Sequence, residues 1–523
     1  MKKTTLLFTL LALLSVTFIH AQEREGRPIE MAYDVSFNNP EDTYVEVRLN
    51  CKNLPDTLTH LCLPAWAPGY YLILNSATHV VDFAATDEQG RTLPVVKSEK
   101  SRWSVSNGAA RNITVTYRVY ANRQSVAQAN VTSEAAFLPG NEIFMYIQGC
   151  TNLPCTITLH PYKGWKCVAG SLPRMGSEGY SYRAQDFDQL YDSPFYLGNQ
   201  KMFDFTFEGK GYTMSVAHSE GMDSALLVED MKKAIHQATL LMQDVPYDHY
   251  TFILMGPGGG GLEHCNSQAD FFSAQSYNRE DDRQSLLCFL THEYFHLYNV
   301  KRIRPIELGP FDYSRENYTG LLWFSEGATC YYEYVLLSRA GLLKSSDFLK
   351  EFEENLRTVE NGSGHLHMSL DRSSRDIWLN FFIEDRNGTQ ISYYNKGPLV
   401  TLLMDIALRN ATGNKASLDD LMRLLYNRYY KELGRGFTDA EFWSAAAQVS
   451  GHADLSEIQS YVYTTCEVDY AKYLKMAGIE VDLTPQSKQD VTGVVQRSWK
   501  LSLTPHPNAM QQAIRNGIMG GVQ

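Results

Sequence analysis

His292 and His296, four residues apart with Glu293 between them, carry the densest chemistry in this chain. On a helix, residues i and i+4 share a face, so two imidazoles at that spacing can grip one divalent cation while the intervening carboxylate flanks its open position. That is equipment for hydrolysis: a metal to polarise a carbonyl and acidify water, and a base to take the water's proton. Zinc with two His needs a third protein ligand and keeps a fourth position open. Glu307, Asp312, Glu316, Glu326 and Glu333 are the downstream candidates. Glu326 is the best placed, because it sits in the apolar run Leu321-Leu-Trp-Phe-Ser-Glu-Gly-Ala328, where a carboxylate without a cation would be costly. Glu333, two turns along the same face, could instead brace a ligating His. The expected cofactor is therefore one Zn²⁺ per chain on His292, His296 and Glu326, with Glu293 as catalytic base.

Long apolar helices must hold these groups, and the sequence supplies them. Ser285 to Val300 is apolar nearly all round, Leu321 to Ala340 reads as a second long helix, and Leu226 to Val245 is amphipathic. Ser417-Leu-Asp-Asp420 and Thr438-Asp-Ala-Glu441 read as capping boxes opening two more helices. With a strand near Tyr250 to Met255, residues 206–485 form a mainly helical catalytic domain. Ahead of it the apolar period is two, as in Thr43-Tyr-Val-Glu-Val-Arg-Leu49 and Ile113-Thr-Val-Thr-Tyr-Arg-Val-Tyr120, so residues 22–205 read as a β-sandwich-like domain. The whole is a multidomain α+β protein, and 523 residues at 44% hydrophobic can fill more than one core.

Residues 1–21 read as a signal peptide: Lys2 and Lys3, an apolar run from Leu6 to Ile19, and Ala21 as the cleavage residue. That run is shorter than the roughly 18 apolar residues of a membrane span. No other stretch could span a bilayer, so the mature chain is expected without a transmembrane segment, in the periplasm or secreted. A net charge of −12 argues against nucleic acid as a partner. Nine cysteines without a CxxC suggest neither a zinc ribbon nor a thioredoxin-type site; Cys51 with Cys62, and Cys150 with Cys155, could staple loops or remain buried thiols.

Beyond the zinc motif, the segment His292-Glu-Tyr-Phe-His-Leu-Tyr-Asn-Val-Lys-Arg-Ile-Arg-Pro305 resembles the zinc helix of the gluzincin metallopeptidases, and most closely that of the glycyl aminopeptidase family (peptidase family M61). Trp323-Phe-Ser-Glu-Gly327 is similar to that family's third-ligand block. Gly259-Gly-Gly-Leu-Glu-His264, Tyr393-Tyr-Asn-Lys-Gly397 and Pro64-Ala-Trp-Ala-Pro-Gly-Tyr70 agree with it too, in order along the chain. The resemblance implies a thermolysin-like catalytic domain and an aminopeptidase acting on peptides with a free amino terminus, with small first residues such as Gly or Ala preferred. It also implies that Glu263 holds the α-amine, that Gly260 and Gly261 let the substrate backbone approach, and that Tyr394 donates to the oxyanion. One departure is that the family usually carries a PDZ domain after the catalytic domain. Residues 486–523 are too few for one and read as a short tail, a truncated remnant with Asp490 to Val495 as its possible strand.

Two other readings stay open. An endopeptidase could use the same metal core with an unblocked cleft, and a secreted peptide-binding protein could keep zinc for structure alone. Lys301, Arg302 and Arg304 could orient a substrate carboxylate, though a cationic cluster at a helix C-terminus needs no substrate to explain it. His365 and His367 read as exposed histidines of a polar loop.

Overall fold

Alternation of buried and half-buried residues builds the amino-terminal half, which the computed structural model describes from residue 27; the described residues are 27–380, 388–489 and 494–521. The signal-peptide reading of residues 1–21 lies outside them. Ile113–Tyr120 buries every second side chain and pairs with Tyr44–Lys52 on one edge and Val80–Asp87 on the other. These three belong to a six-stranded sheet completed by Glu30–Ser36, Cys155–His160 and Tyr180–Ala184. A four-stranded sheet containing Leu58–Cys62 and Arg102–Ser106 packs on it, with Trp103 stacked on Phe83 at 5.4 Å. The sandwich-like expectation holds for these two sheets. A third, of four short strands including Ala136–Leu138 and Phe195–Gly198, contributes Phe137 and Tyr196 to an apolar seam shared with Ile253, Leu262 and Phe271 of the catalytic half.

The catalytic half is mainly helical, as the periodicity suggested, but in place of one strand it opens with a five-stranded sheet. Its strands are β1 (Lys201–Phe207), β2 (Lys210–Val216), β3 (His249–Leu254), β4 (Gly261–Glu263) and β5 (Ser267–Asp270), in the order β1-β2-β3-β5-β4. Short length hid β4 and β5, and the polar residues of Ser267–Asp270 are all buried, which defeats an apolar-pattern reading. Helices then carry the chemistry: α1 (Ser224–Met242), α2 (Glu280–Phe295), α3 (Leu322–Ser325), α4 (Gly327–Arg339), α5 (Ser345–Glu360) and α6 (Tyr393–Ala411). The single helix expected over Leu321 to Ala340 is interrupted at Glu326, which falls between α3 and α4. Both expected capping boxes form, at Ser417 and Thr438.

All nine cysteines are free, and burial pushes the Cys51 and Cys155 thiols up to about 12. The carboxy-terminal residues are built into the helical half. Lys500–Leu503 pairs with Ile479–Asp482, and α7 (Ala509–Met519) buries Ile514, Ile518 and Met519 while Arg339 donates to the Gly517 carbonyl at 2.6 Å. Of the possible strand over 490–495, residues 490–493 lie outside the described residues, and Val495 opens a three-residue strand. Among the described residues no helix is long and apolar enough to cross a membrane.

Candidate active site

The last turn of α2 and the break between α3 and α4 bring His292, His296 and Glu326 together. One ligand atom from each lies within 4.8 Å of the others, and all three residues are buried. The two Nε2 atoms are 3.0 Å apart, and the Glu326 Oε2 is 3.2 Å from that of His296 and 3.7 Å from that of His292. The other ring nitrogens fix which tautomers these are. His292 Nδ1 donates to Glu333 Oε2 at 2.8 Å, and His296 Nδ1 donates to the Asn299 carbonyl at 2.7 Å. Both rings therefore turn Nε2 inward, toward each other and toward Glu326 Oε2. Two imidazoles and a carboxylate so converged are a donor set that fits zinc. Burial works against ionising Glu326, yet His296 and His292 hold its carboxyl down to about 2; burial likewise opposes the charge on His292, which Cys330, Glu326 and Glu333 drive the other way.

Glu333 is thus the brace for His292. Asn299, which the sequence reading did not single out, supports the other side: its carbonyl orients His296 while its side-chain amide donates to Phe324 O and Ser325 O, at 3.0 and 2.9 Å. That bond set ties the end of α2 to the turn carrying Glu326.

Glu293 points from α2 toward β4. A Cβ on Gly261 would lie 2.5 Å from Glu293 Oε1 and 2.7 Å from Asp270 Oδ1, so the glycine leaves room for two carboxyls to approach each other. Burial first, then the neighbouring Asp270, Glu263 and Glu326, raise Glu293 well above the ordinary glutamate value. Asp270 is fully buried on β5, accepts from Gln268 at 2.8 Å, and is pushed by burial up to about 8. No sequence pattern pointed to it.

Glu263, at the end of β4, has ligating atoms within 4.8 Å of those of Glu293 and His296. Its Oε1 makes no hydrogen bond among the described residues. Lys301 Nζ lies 3.6 Å from it and 2.9 Å from Asp192 of the β-rich half. The cationic cluster thus faces protein groups: Lys301 serves these carboxylates, Arg302 donates to the carbonyls of Leu297, Cys265 and Pro246, and Arg304 lies against Phe311. Gly69, of the Trp66-Ala-Pro-Gly69 turn, has φ +87° and would place a Cβ 2.6 Å from Glu263 Oε1, so this loop closes that end of the site only because it carries a glycine.

One cleft of about 1000 Å³ contains His292, His296, Glu326, Glu293, Glu333 and Glu263. Gly260 and Gly261 line it, as does Tyr394 from the first turn of α6, 38% exposed and with its ring 4.7 Å from that of Tyr393. Enclosure and the charge of Glu326 keep the Tyr394 phenol protonated well above its ordinary range, as a hydrogen-bond donor must be. The β-rich half supplies part of the wall, through Gly69, Tyr70 and the strap Gln124 to Val126. His365 is half-buried and bonded to the carbonyls of Gly362 and Val359, away from this cleft, and His367 is exposed.

Residues 32–199 match the family model described as the Peptidase M61 N-terminal domain, and residues 285–400 match that of the M61 glycyl aminopeptidase. Among solved structures, an aminopeptidase N family protein from Idiomarina loihiensis is 30% identical, with a TM-score of 0.81 over 87% of this chain and 80% of that one. An M1 zinc metallopeptidase from Deinococcus radiodurans, captured as a point mutant with a Tyr-Ser-Ala substrate, shares the fold at 11% identity and a TM-score of 0.51, over 85% of this chain and 96% of that one. No curated protein matches the sequence.

Proposed function

Because the chain belongs to the M61 glycyl aminopeptidase family and is a metallopeptidase, we propose that it removes single residues from the amino terminus of peptides, Gly or Ala by preference, using one zinc ion on His292, His296 and Glu326. The observation that carries this reading is the buried convergence of His292, His296 and Glu326 with Glu293 and Glu263 in the same cleft. Zinc bound there supplies Lewis acidity to the scissile carbonyl and to the attacking water. The protein does the rest. Glu293 takes the proton of the water and passes one to the leaving amine, and Tyr394 donates to the carbonyl oxygen as negative charge develops on it. Glu263 accepts the substrate's protonated α-amine, a charge-assisted contact of about 1.5–3 kcal/mol, or roughly ten- to a hundredfold in kcat/KM. The small-residue preference is supported by the crowding at that end, where Gly69 and Leu262 close on Glu263. Export through a signal peptide at residues 1–21 belongs to the same proposal.

The endopeptidase reading has one observation in its favour: Lys301 already lies 3.6 Å from Glu263 and competes with an incoming amine. The closer partner of Lys301 is Asp192, which leaves Glu263 Oε1 without a hydrogen bond. A panel of X-Ala dipeptides, free and amino-acetylated, assayed before and after chelation, separates the two. The aminopeptidase is expected to cut only free peptides, Gly and Ala first, and to stop on chelation; equal cleavage of acetylated peptides would install the endopeptidase instead.

A further inference from the structure

A second cavity, of about 510 Å³, opens beside the catalytic cleft and shares two of its wall residues, Gln124 and Ser125. The partition between them is the strap from the β-rich half. Gln124 Nε2 donates to the Pro257 carbonyl at 3.1 Å, and Val126 Cγ2 lies 4.0 Å from where a Cβ on Gly260 would stand, so the strap sits directly on the glycine loop. Beyond the strap the cavity is lined by Glu134, Asn199, His218, Tyr196 and Phe271 among others. Gln200, 7% exposed, also lines it, its amide nitrogen donating to the Tyr196 carbonyl at 3.2 Å.

The direction of a bound peptide follows from the sheet. Among the described residues β4 is an edge strand paired only with β5, so its other side can take an added strand. A peptide held by its amine at Glu263 and paired antiparallel to β4 runs past Gly261, Gly260 and Gly259, which is toward the strap. At about 3.4 Å per residue, the three positions of β4 span about 10 Å, so a fourth or fifth residue lies beyond the strand, where Val126 of the strap sits against Gly260.

We propose that the second cavity is a subsite for the residues downstream of the fourth, making extended oligopeptides of five or more residues the substrate class. This rests on the aminopeptidase reading above. It takes a peptide backbone with polar side chains: Asn130 and Asn199 of its lining carry hydrogen-bonding groups, and Tyr196 and Phe271 supply aromatic surface.

The test is kcat/KM for alanine peptides of two to six residues on the zinc-loaded enzyme. A rise of about tenfold between three and five residues is expected, the worth of one or two net hydrogen bonds. Asn199→Trp and Glu134→Trp, both at exposed positions, plug the cavity from its rim. Each is expected to flatten the series while leaving Ala-Ala unchanged, and the unchanged dipeptide rate reports that the variant is folded. Cleavage of every length at equal kcat/KM, or a length dependence that survives both plugs, overturns the subsite and leaves the aminopeptidase standing. Failure to cleave any member of the series overturns both.

Discussion

Two glutamates of the α3–α4 region, Glu326 and Glu333, differ in which nitrogen of His292 they face, and that difference decides their roles. Glu326→Ala should lose the metal, whereas Glu333→Gln should keep it at roughly ten- to a hundredfold weaker affinity, because only the orienting bond to Nδ1 is altered. Zinc content and competition with a chelator measure both; retention of zinc by Glu326→Ala and loss by Glu333→Gln would reverse the assignment. Glu293→Gln should hold zinc and fold but lose about 10²–10⁴-fold in turnover, since an amide cannot take a proton from water. The pH profile reports the same carboxyl. Burial and its acidic neighbours raise Glu293, so the base becomes protonated, and activity falls, as pH drops through a value above that of an ordinary glutamate. Asp270 is one of those neighbours. Held up to about 8, Asp270 is charged only above that, so Asp270→Asn should move to lower pH the part of the acidic limb of kcat/KM that lies above about 8; an unmoved limb would uncouple the two groups.

At the scale of elements, the site depends on how closely α4 and α6 approach. A Cβ on Gly327 would meet Gly397 Cα at 2.6 Å, and one on Gly397 would meet the Trp323 carbonyl oxygen at 2.8 Å. Two backbones in contact cannot yield as a flexible side chain does. Gly397→Ala should therefore cost about 1–3 kcal/mol by overpacking, read in chemical denaturation, and should weaken zinc binding because Glu326 is the residue before Gly327. A variant as stable as the parent and equally tight for zinc would show that the helices can part without disturbing the turn between α3 and α4.

At the scale of the molecule, the catalytic unit is closed by segments remote in sequence. The loop at Gly69 and the strap at Gln124 come from the β-rich half, while α7, near the far end of the chain, packs on α4 and buries Ile514, Ile518 and Met519. Arg339 and Arg409 both donate to the Gly517 carbonyl, tying that helix down. Three apolar side chains at about 1.5–3 kcal/mol each make α7 a large share of a typical domain's stability. Truncation before Lys500 should lower the Tm by many degrees and leave the helical half poorly soluble; an unchanged Tm would make this segment an appendage.

The meeting of His292, His296 and Glu326 was legible in the sequence because the chemistry that pairs them is local. Four-residue spacing puts His292 and His296 on one helix face whatever surrounds them, and Glu326 in an apolar run needs a cation for the same reason in any fold. Period-two alternation likewise announced the β-rich half, since it follows from the pleat of a single strand. What only the tertiary structure decided lies in contacts between segments far apart. Asn299 orients His296 through a backbone carbonyl, a role open to any residue type, and Asp270 is one polar residue in a four-residue strand whose burial comes from the sheet and α2 around it. Lys301 read as a helix-end cation until Asp192, more than a hundred residues earlier, came to lie 2.9 Å away. Local periodicity records which face of an element is buried, but not which other element buries it, and so the cleft's walls, its closed end at Gly69 and its neighbouring cavity had to come from the packing of the two halves.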